Sequence, residues 1–432
     1  MISMTRIGTS ILLLLAIAPR PHRAYAQALP AAVAPSAYQG FQFPTLGGQL
    51  TYGVSASQTM ITGYNGGDGN GTISSTDISG DLAYISSSEK HPLSLVYSGG
   101  YLASASSQIP SSWFHNLALS QSYRTRTWNF VLSDLVSYLP ESPVGGLSGV
   151  AGIGDLGVTP VQVGVYEAPG ILTNYAQRVS NIVSGSAEHN LSGSTSVTGT
   201  GSYVIQRFLN SAADLTDDSN ELEASGGISH RMDARNTFAT NYSYMQFTYV
   251  GQPYSFTSNG INFEYIRHFS PHLTLDSSLG PEWTTSSLLT ATSTNLAAAI
   301  SLSYSGQRNS TSLAYTRGTS SGSGVAEGAL SDSVIFSARR SLNRVWTGAT
   351  SVSYVYSQSL PNSVYLPFTI QSEIAGVQLS RAIGRDFSGF ASYTLEHQTT
   401  EGNSLSPLTF SGLQQVFGFG VTYSPSAFHL GR

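Results

Sequence analysis

The segment Leu273-Thr-Leu-Asp-Ser-Ser-Leu-Gly-Pro-Glu-Trp283 alternates along its whole length. Leu273, Leu275, Leu279 and Trp283 share one parity, and Thr274, Asp276, Ser278 and Glu282 share the other. Successive side chains of a strand point to opposite faces, so this segment has one apolar face and one face bearing both carboxylates. The pattern recurs. Phe387, Ala391, Tyr393 and Leu395 oppose Ser388, Ser392 and Thr394, and Trp346, Val352, Tyr354 and Tyr356 oppose Thr347, Ser351 and Ser353. Phe417, Phe419, Val421 and Tyr423 form a last such face. No stretch of comparable length shows a helical period.

Composition narrows what two-faced strands can build. Charged residues are 10% of the chain, where soluble domains carry about 25%. Yet no apolar run beyond the N-terminus is long enough for a membrane helix. Low charge without long apolar runs fits strands with one greasy face and one merely polar face, as in a transmembrane β-barrel. A β-propeller has a similar repeat length, but its outer surface meets water, and the outward parity here is Leu, Phe, Tyr and Trp. With no cysteine in the chain, neither disulfides nor thiolate metal sites hold the fold.

Short turns centred near Lys90, Arg124, Asn190, Asp233, Ser270, Gln307, Leu342 and Gly384 separate these segments. Most intervals are about 35–43 residues, the length of two membrane strands with a loop and a turn. Adding a first strand near Gly48–Met60 and a last near Gln414–Tyr423 predicts an all-β, antiparallel up-and-down barrel of about 18 strands, with 16 as the alternative. The interval from Arg124 to Asn190 is too long for one hairpin. Its excess lies between Leu139 and Asn174, and a loop of that length is expected to fold into the lumen with Asp155 as its constriction charge.

The N-terminus reads as an export signal over 1–26: Arg6, the apolar run Ile11–Ala18, and Ala24-Tyr25-Ala26 as a cleavage site. Residues 27–47 form a lead too short for a plug domain, and 48–432 the barrel. Losing Arg6, Arg20 and Arg23 leaves 16 of 19 basic residues against 24 acidic ones, a net −8. That excludes a nucleic-acid partner, which needs a basic footprint. Twelve of the 16, among them Lys90, Arg124, Arg231, Arg339 and Arg385, sit in or beside the short turns. Acidic residues such as Asp68, Glu141, Glu167, Asp214 and Glu327 fall in the opposite connections. A guanidinium facing lipid costs about 2–4 kcal/mol at the midplane and little near the interface, which favours strand ends.

In this pattern the mature chain resembles outer-membrane β-barrel proteins of Gram-negative bacteria. The stretches "GIGDLGVTPVQVG", "NYAQRVSNIVSGS" and "QVFGFGVTYSP" look like a porin-sized barrel family of unassigned function. The resemblance implies a bacterial outer-membrane location, surrounding lipid and lipopolysaccharide, and insertion by the barrel assembly machinery. It implies no substrate. Barrels of the class often end on an aromatic residue, whereas this chain ends Phe428-His-Leu-Gly-Arg432, leaving Phe428 or Tyr423 as the insertion signal. Such barrels are often trimers, but no residue of the sequence marks a subunit face.

Other motifs carry less. Gly152-Ile-Gly-Asp-Leu-Gly157 matches a dinucleotide turn by letter, but Pro160 and the β-branched residues after it oppose the required helix. Gly318-Thr-Ser-Ser-Gly322 lies in a Ser/Gly run rather than on a strand-to-helix elbow. Glu264 and His268 share a strand face but are about 13 Å apart along it, too far for a hydrogen bond. Asp214 to Glu221 lacks the glycine and the final glutamate of a calcium loop. No catalytic residue, cofactor or metal is therefore assigned. Glu221, Glu223, Glu264, Asp276, Glu282, Asp386 and Glu396 fall on the polar parity and are the pore-lining candidates. Asp134 is anomalous, since it shares parity with Trp128, Phe130 and Leu132. Carboxylates lining a lumen favour cations. The expected function is a passive, mildly cation-preferring pore for small hydrophilic solutes. The alternatives are a structural or adhesive barrel with a closed lumen and, behind it, a barrel hydrolase.

Overall fold

A computed structural model describes residues 48–64, 71–86, 88, 91–105, 111–140, 177–209, 218–251, 255–287, 292–320, 328–360, 368–402, 411–426 and 428–430. The chain divides into Met1–Val33 and Ala34–Arg432; the first unit, with the expected signal, lies outside the described residues. So do Asp155 and the rest of 141–176.

The described residues form β1 (Gly48–Tyr64), β2 (Gly71–Ile85), β3 (Leu93–Ser104), β4 (Ser112–Arg124), β5 (Trp128–Pro140), β6 (Gln177–Asn190), β7 (Thr195–Phe208), β8 (Ser219–Arg231) and β9 (Asn236–Tyr249). They continue with β10 (Ser255–Ser270), β11 (Leu273–Ser286), β12 (Thr292–Ser305), β13 (Asn309–Ser320), β14 (Ala329–Ser341), β15 (Trp346–Ser359), β16 (Thr369–Ile383), β17 (Phe387–Glu401), β18 (Gly412–Tyr423) and the short β19 (Phe428–Leu430). Each of β1 to β18 pairs antiparallel with the next, and β18 pairs with β1 from Val54↔Tyr423 to Thr62↔Gln415. The result is a closed 18-stranded barrel. β19 extends the closing seam by pairing with Gly48–Leu50, and the Phe428 ring stacks on Tyr52 at 5.9 Å.

All eight predicted turns join neighbouring strands at one end of the barrel. Side chains acting as local acceptors set their shape. Thr125 Oγ1 accepts from the Trp128 amide, and Asn343 Oδ1 from the amides of Val345 and Trp346. Asp233 accepts from the amides of Arg235 and Asn236 and from the Asn236 side chain, which holds its carboxyl below the ordinary range. Leu139 and Pro140, assigned by sequence to the long connection, continue β5 as strand.

The outward parity is apolar around the circumference. Phe263, Leu279 and Phe419 are 60%, 52% and 54% exposed, a surface that lipid rather than water tolerates. Asp134 does face outward. Its register is unbroken, Leu119↔Asp134↔Val183, so no bulge has turned it. The Asn181 side chain donates to its Oδ1 at 2.7 Å. A second outward pair, Arg317 to Asp332 at 2.5 Å, stands nearer the long-loop end, where charge costs less. A groove on the outer face, beside Asp134, runs between Tyr123, Phe130 and Leu132 and the small residues Gly185, Ala187, Gly199 and Gly201.

Two stability measurements follow, both as urea unfolding from vesicles. Leu279→Arg is expected to lower stability by about 2–4 kcal/mol, and Ser278→Arg, on the other face, by much less. Replacing Asp134→Leu together with Asn181→Val removes a carboxylate and the side chain that donates to it from the lipid face. That double variant is expected to gain about 1 kcal/mol.

Candidate pore-lining site

The lumen face has two zones. Toward the short turns it is lined by half-exposed small polar side chains such as Ser98, Ser120, Ser184, Ser225, Ser278 and Ser301. Toward the long loops it is buried and mixed. There, four buried carboxylates stand eight to ten positions from the short-turn ends of their strands, with the half-buried Glu223 of β8 at the same level: Asp77 on β2, Glu221 on β8, Glu282 on β11 and Glu396 on β17. Their exposures are 2%, 4%, 7% and 1%. Because they sit at similar heights and are spread around the closed sheet, they form a ring. Strand pairing alone brings them there, since they are far apart in sequence.

The four are not equivalent. Glu282 accepts from the Ser258 hydroxyl at 2.6 Å and from the Thr319 amide at 3.2 Å. It therefore ties β10 and β13 to β11, and Thr284, bonded to the hydroxyls of Ser258 and Thr319, completes the latch. Glu396 accepts from the Gln414 side chain. Glu221 has one oxygen, Oε1, with no hydrogen-bond partner. Beside this band Phe247, Tyr249, Phe256, Leu330 and Leu360 pack into an apolar cluster. It joins β9 and β10 to β14 and the residue after β15.

The other lumen carboxylates are less enclosed. Glu223 accepts from the Ser202 hydroxyl at 3.2 Å, and Glu264 from the Asn241 side chain at 3.2 Å. Asp276, on the neighbouring strand, faces Glu264 across the pairing of Ile266 with Asp276. Glu221, Glu223, Glu264, Asp276, Glu282 and Glu396 thus lie on the lumen parity. Asp386 does not. It sits in the turn 384–386 between β16 and β17, where its carbonyl accepts from the Ser424 amide, so parity counted along a strand had been carried past the strand's end.

Sequence reasoning missed Asp77, Asp81 and Glu188, which also face the lumen. Their parity in β2 was legible as Ile73, Ser75, Asp77, Ser79, Asp81 and Ala83, but the opposite parity, Thr72, Ser74 and Thr76, is polar as well. Only the paired register decides between the faces. Asp81 depends on Gly53 opposite it, where a Cβ would stand 2.5 Å from its Oδ1. Lumen-facing guanidiniums among the described residues keep to the ends of strands: Arg124, Arg231 and Arg339 by the short turns and Arg178 at the start of β6. His268 bonds to the Thr274 hydroxyl at 2.9 Å, so Glu264 and His268 are not joined. No metal-binding group of three side chains exists among the described residues.

Glu282→Ala leaves the Thr319 amide without its acceptor and is expected to lower stability by about 1–3 kcal/mol. Hydrogen exchange at Thr319 reads the loss directly, and it is expected to quicken there more than at amides of β5 or β6.

No protein-family model matches the chain, and no curated protein matches it. Among solved structures it is similar to OccK5 (OpdH) of Pseudomonas aeruginosa, at 11% identity and a TM-score of 0.44, covering 88% of this chain and 98% of that one. A BenF-like porin from Pseudomonas fluorescens Pf-5 aligns at 10% identity and a TM-score of 0.46, over 87% and 98%. OccAB3 of Acinetobacter baumannii aligns at 11% and 0.43, over 88% and 99%. At such identity these likenesses bear on no individual residue of this chain.

Proposed function

We propose that the protein is a passive pore of the bacterial outer membrane for small hydrophilic solutes, with a preference for cations. The lumen-facing carboxylates are the observation that carries this reading, Glu264 and Asp276 half-buried and the ring of Asp77, Glu221, Glu282 and Glu396 buried nearer the long loops, while lumen-facing guanidiniums among the described residues keep to the strand ends. A cation about 8 Å from one carboxylate gains roughly 2 kcal/mol at an effective dielectric constant near 20. The same field repels an anion. Diffusion down a gradient then needs no moving part, and Glu264 with Asp276 extends the negative lining below the ring.

A barrel with a closed lumen, whose outer loops bind a partner, is the second reading. The near-complete burial of the ring favours it. No catalytic role is assigned, since His268, the imidazole that shares a strand face with Glu264, is engaged by Thr274.

Reversal potentials in a planar bilayer under a salt gradient test the proposal. Cation selectivity is expected, falling as ionic strength rises because salt screens the carboxylates. Glu264→Gln with Asp276→Asn is expected to reduce it severalfold without unfolding the barrel. Anion selectivity would refute the assigned lining, and a folded barrel without conductance steps would select the closed reading.

A further inference from the structure

One sector of the outward face is almost without side chains. Paired residues of adjacent strands share a face. Strand pairing sets Gly185 beside Gly201 and Ala224, and Ala187 beside Gly199 and Gly226, in two adjoining rows across β6, β7 and β8. Elsewhere on the described outward face no row of paired residues holds more than two Gly or Ala in succession. Glycine inside a strand weakens it, and marks a bulge, a tight bend or a place where another molecule comes close. The registers here are unbroken, from Arg178↔Phe208 to Asn190↔Ser196 and from Thr195↔His230 to Gln206↔Ser219, so there is no bulge. None of the four glycines has a positive φ. A Cβ built on any of them stands at least 3.7 Å from the nearest atom. The barrel itself therefore does not require glycine at these positions.

The outcome is an open furrow of about 570 Å³, room for large side chains from outside. Phe130 and Leu132 of β5, 39% and 59% exposed, stand as a ridge along one edge. One row nearer the long loops lies Asp134. The Asn181 side chain holds its Oδ1, and its Oδ2 has no hydrogen-bond partner among the described residues. We propose that this face docks a second copy of the chain, in a dimer whose two-fold axis runs along the membrane normal between β5 and β6. Such an isologous contact needs a patch that complements itself. Here the ridge of Phe130 and Leu132 lies immediately beside the furrow of Gly185, Ala187, Gly199 and Gly201. A two-fold rotation lays each ridge in the other copy's furrow at the same depth in the bilayer. In lipid, as between membrane helices, close packing over small residues and polar contacts hold subunits together. The same rotation brings the two Asp134–Asn181 pairs together. The Asn181 amide also reaches the Leu135 carbonyl at 3.3 Å, and it exchanges that longer bond for Oδ2 of the partner's Asp134. A lipid chain fills the furrow equally well but has no donor for Asp134, so a second copy is the better occupant. The proposal does not depend on whether the lumen conducts.

The test reconstitutes the full chain in phospholipid vesicles and reads the dimer fraction by single-molecule photobleaching over a range of protein-to-lipid ratios. A dimer population that grows with that ratio is expected. Gly199→Leu with Gly201→Leu fills the furrow and is expected to weaken dimerisation about tenfold or more, the size of an overpacked contact. A Cβ meets open space at both positions, so the barrel is expected to keep its heat-modifiable gel mobility. Leu132→Ala, which shortens the ridge, is expected to act in the same direction and decides the matter should the glycine variant fail to fold. Asp134→Leu with Asn181→Val is expected to weaken the dimer severalfold; the stability gain expected of it applies to barrels diluted in lipid. The chain has no cysteine, so Leu132→Cys supplies a single thiol. A short bismaleimide is expected to join two copies through it, and not through Val352→Cys, which is 47% exposed on the opposite side of the barrel. Monomers at every ratio overturn the inference and leave the furrow to lipid. Dimers that survive both furrow and ridge variants, or that cross-link through Val352→Cys instead, put the contact on another face and overturn it as well.

Discussion

Hydrogen bonding of the backbone in a solvent that offers none is the constraint on which the rest of this structure depends. In hydrocarbon an unpaired amide or carbonyl costs several kcal/mol, so a sheet has to close on itself. Here closure falls to β1 and β18, and β19 lengthens the seam. Once the sheet is closed, every strand acquires an inside and an outside. The alternation of Leu, Phe and Tyr with Ser and Thr becomes a division between lipid and lumen.

That division explains where charge is tolerated. Most guanidiniums sit by the short turns, where water is near. The outward ion pair Arg317–Asp332 stands toward the other rim. Asp134 violates the rule in the middle of a strand and is compensated by the Asn181 side chain. Its position next to an outer-face groove floored by Gly185, Gly199 and Gly201 gives that side of the barrel a character unlike the rest.

Inside, the same alternation leaves a choice of polar residue at every second position, and the chain uses it unevenly. Serine and threonine recur over the whole height of the lumen, and carboxylates occur in both halves. The half near the long loops is the buried one, and it adds the cluster around Phe247. The barrel thus has a half-exposed polar lumen face on one side and a buried band of carboxylates and apolar side chains on the other. One of the four ring carboxylates, Glu282, is consumed by structure, which shows why sharing a height does not give equal roles.

The sequence by itself determined the fold class, the strand number and all eight short turns, because a period of two and a turn composition are local properties. It also determined which parity of Leu273–Trp283 or Phe387–Leu395 faces lipid, since those strands have one clearly apolar face. Where the outward parity starts polar, as at Thr72, Ser74 and Thr76 of β2, parity is ambiguous, and Asp77 went unseen. Counting parity beyond a strand's end misplaced Asp386 for a related reason: the alternation holds only while the backbone stays extended. What only the tertiary structure decided is the ring. Asp77 and Glu396 belong together solely because β18 meets β1 and the strand registers bring them to one height, a long-range fact that no local pattern encodes.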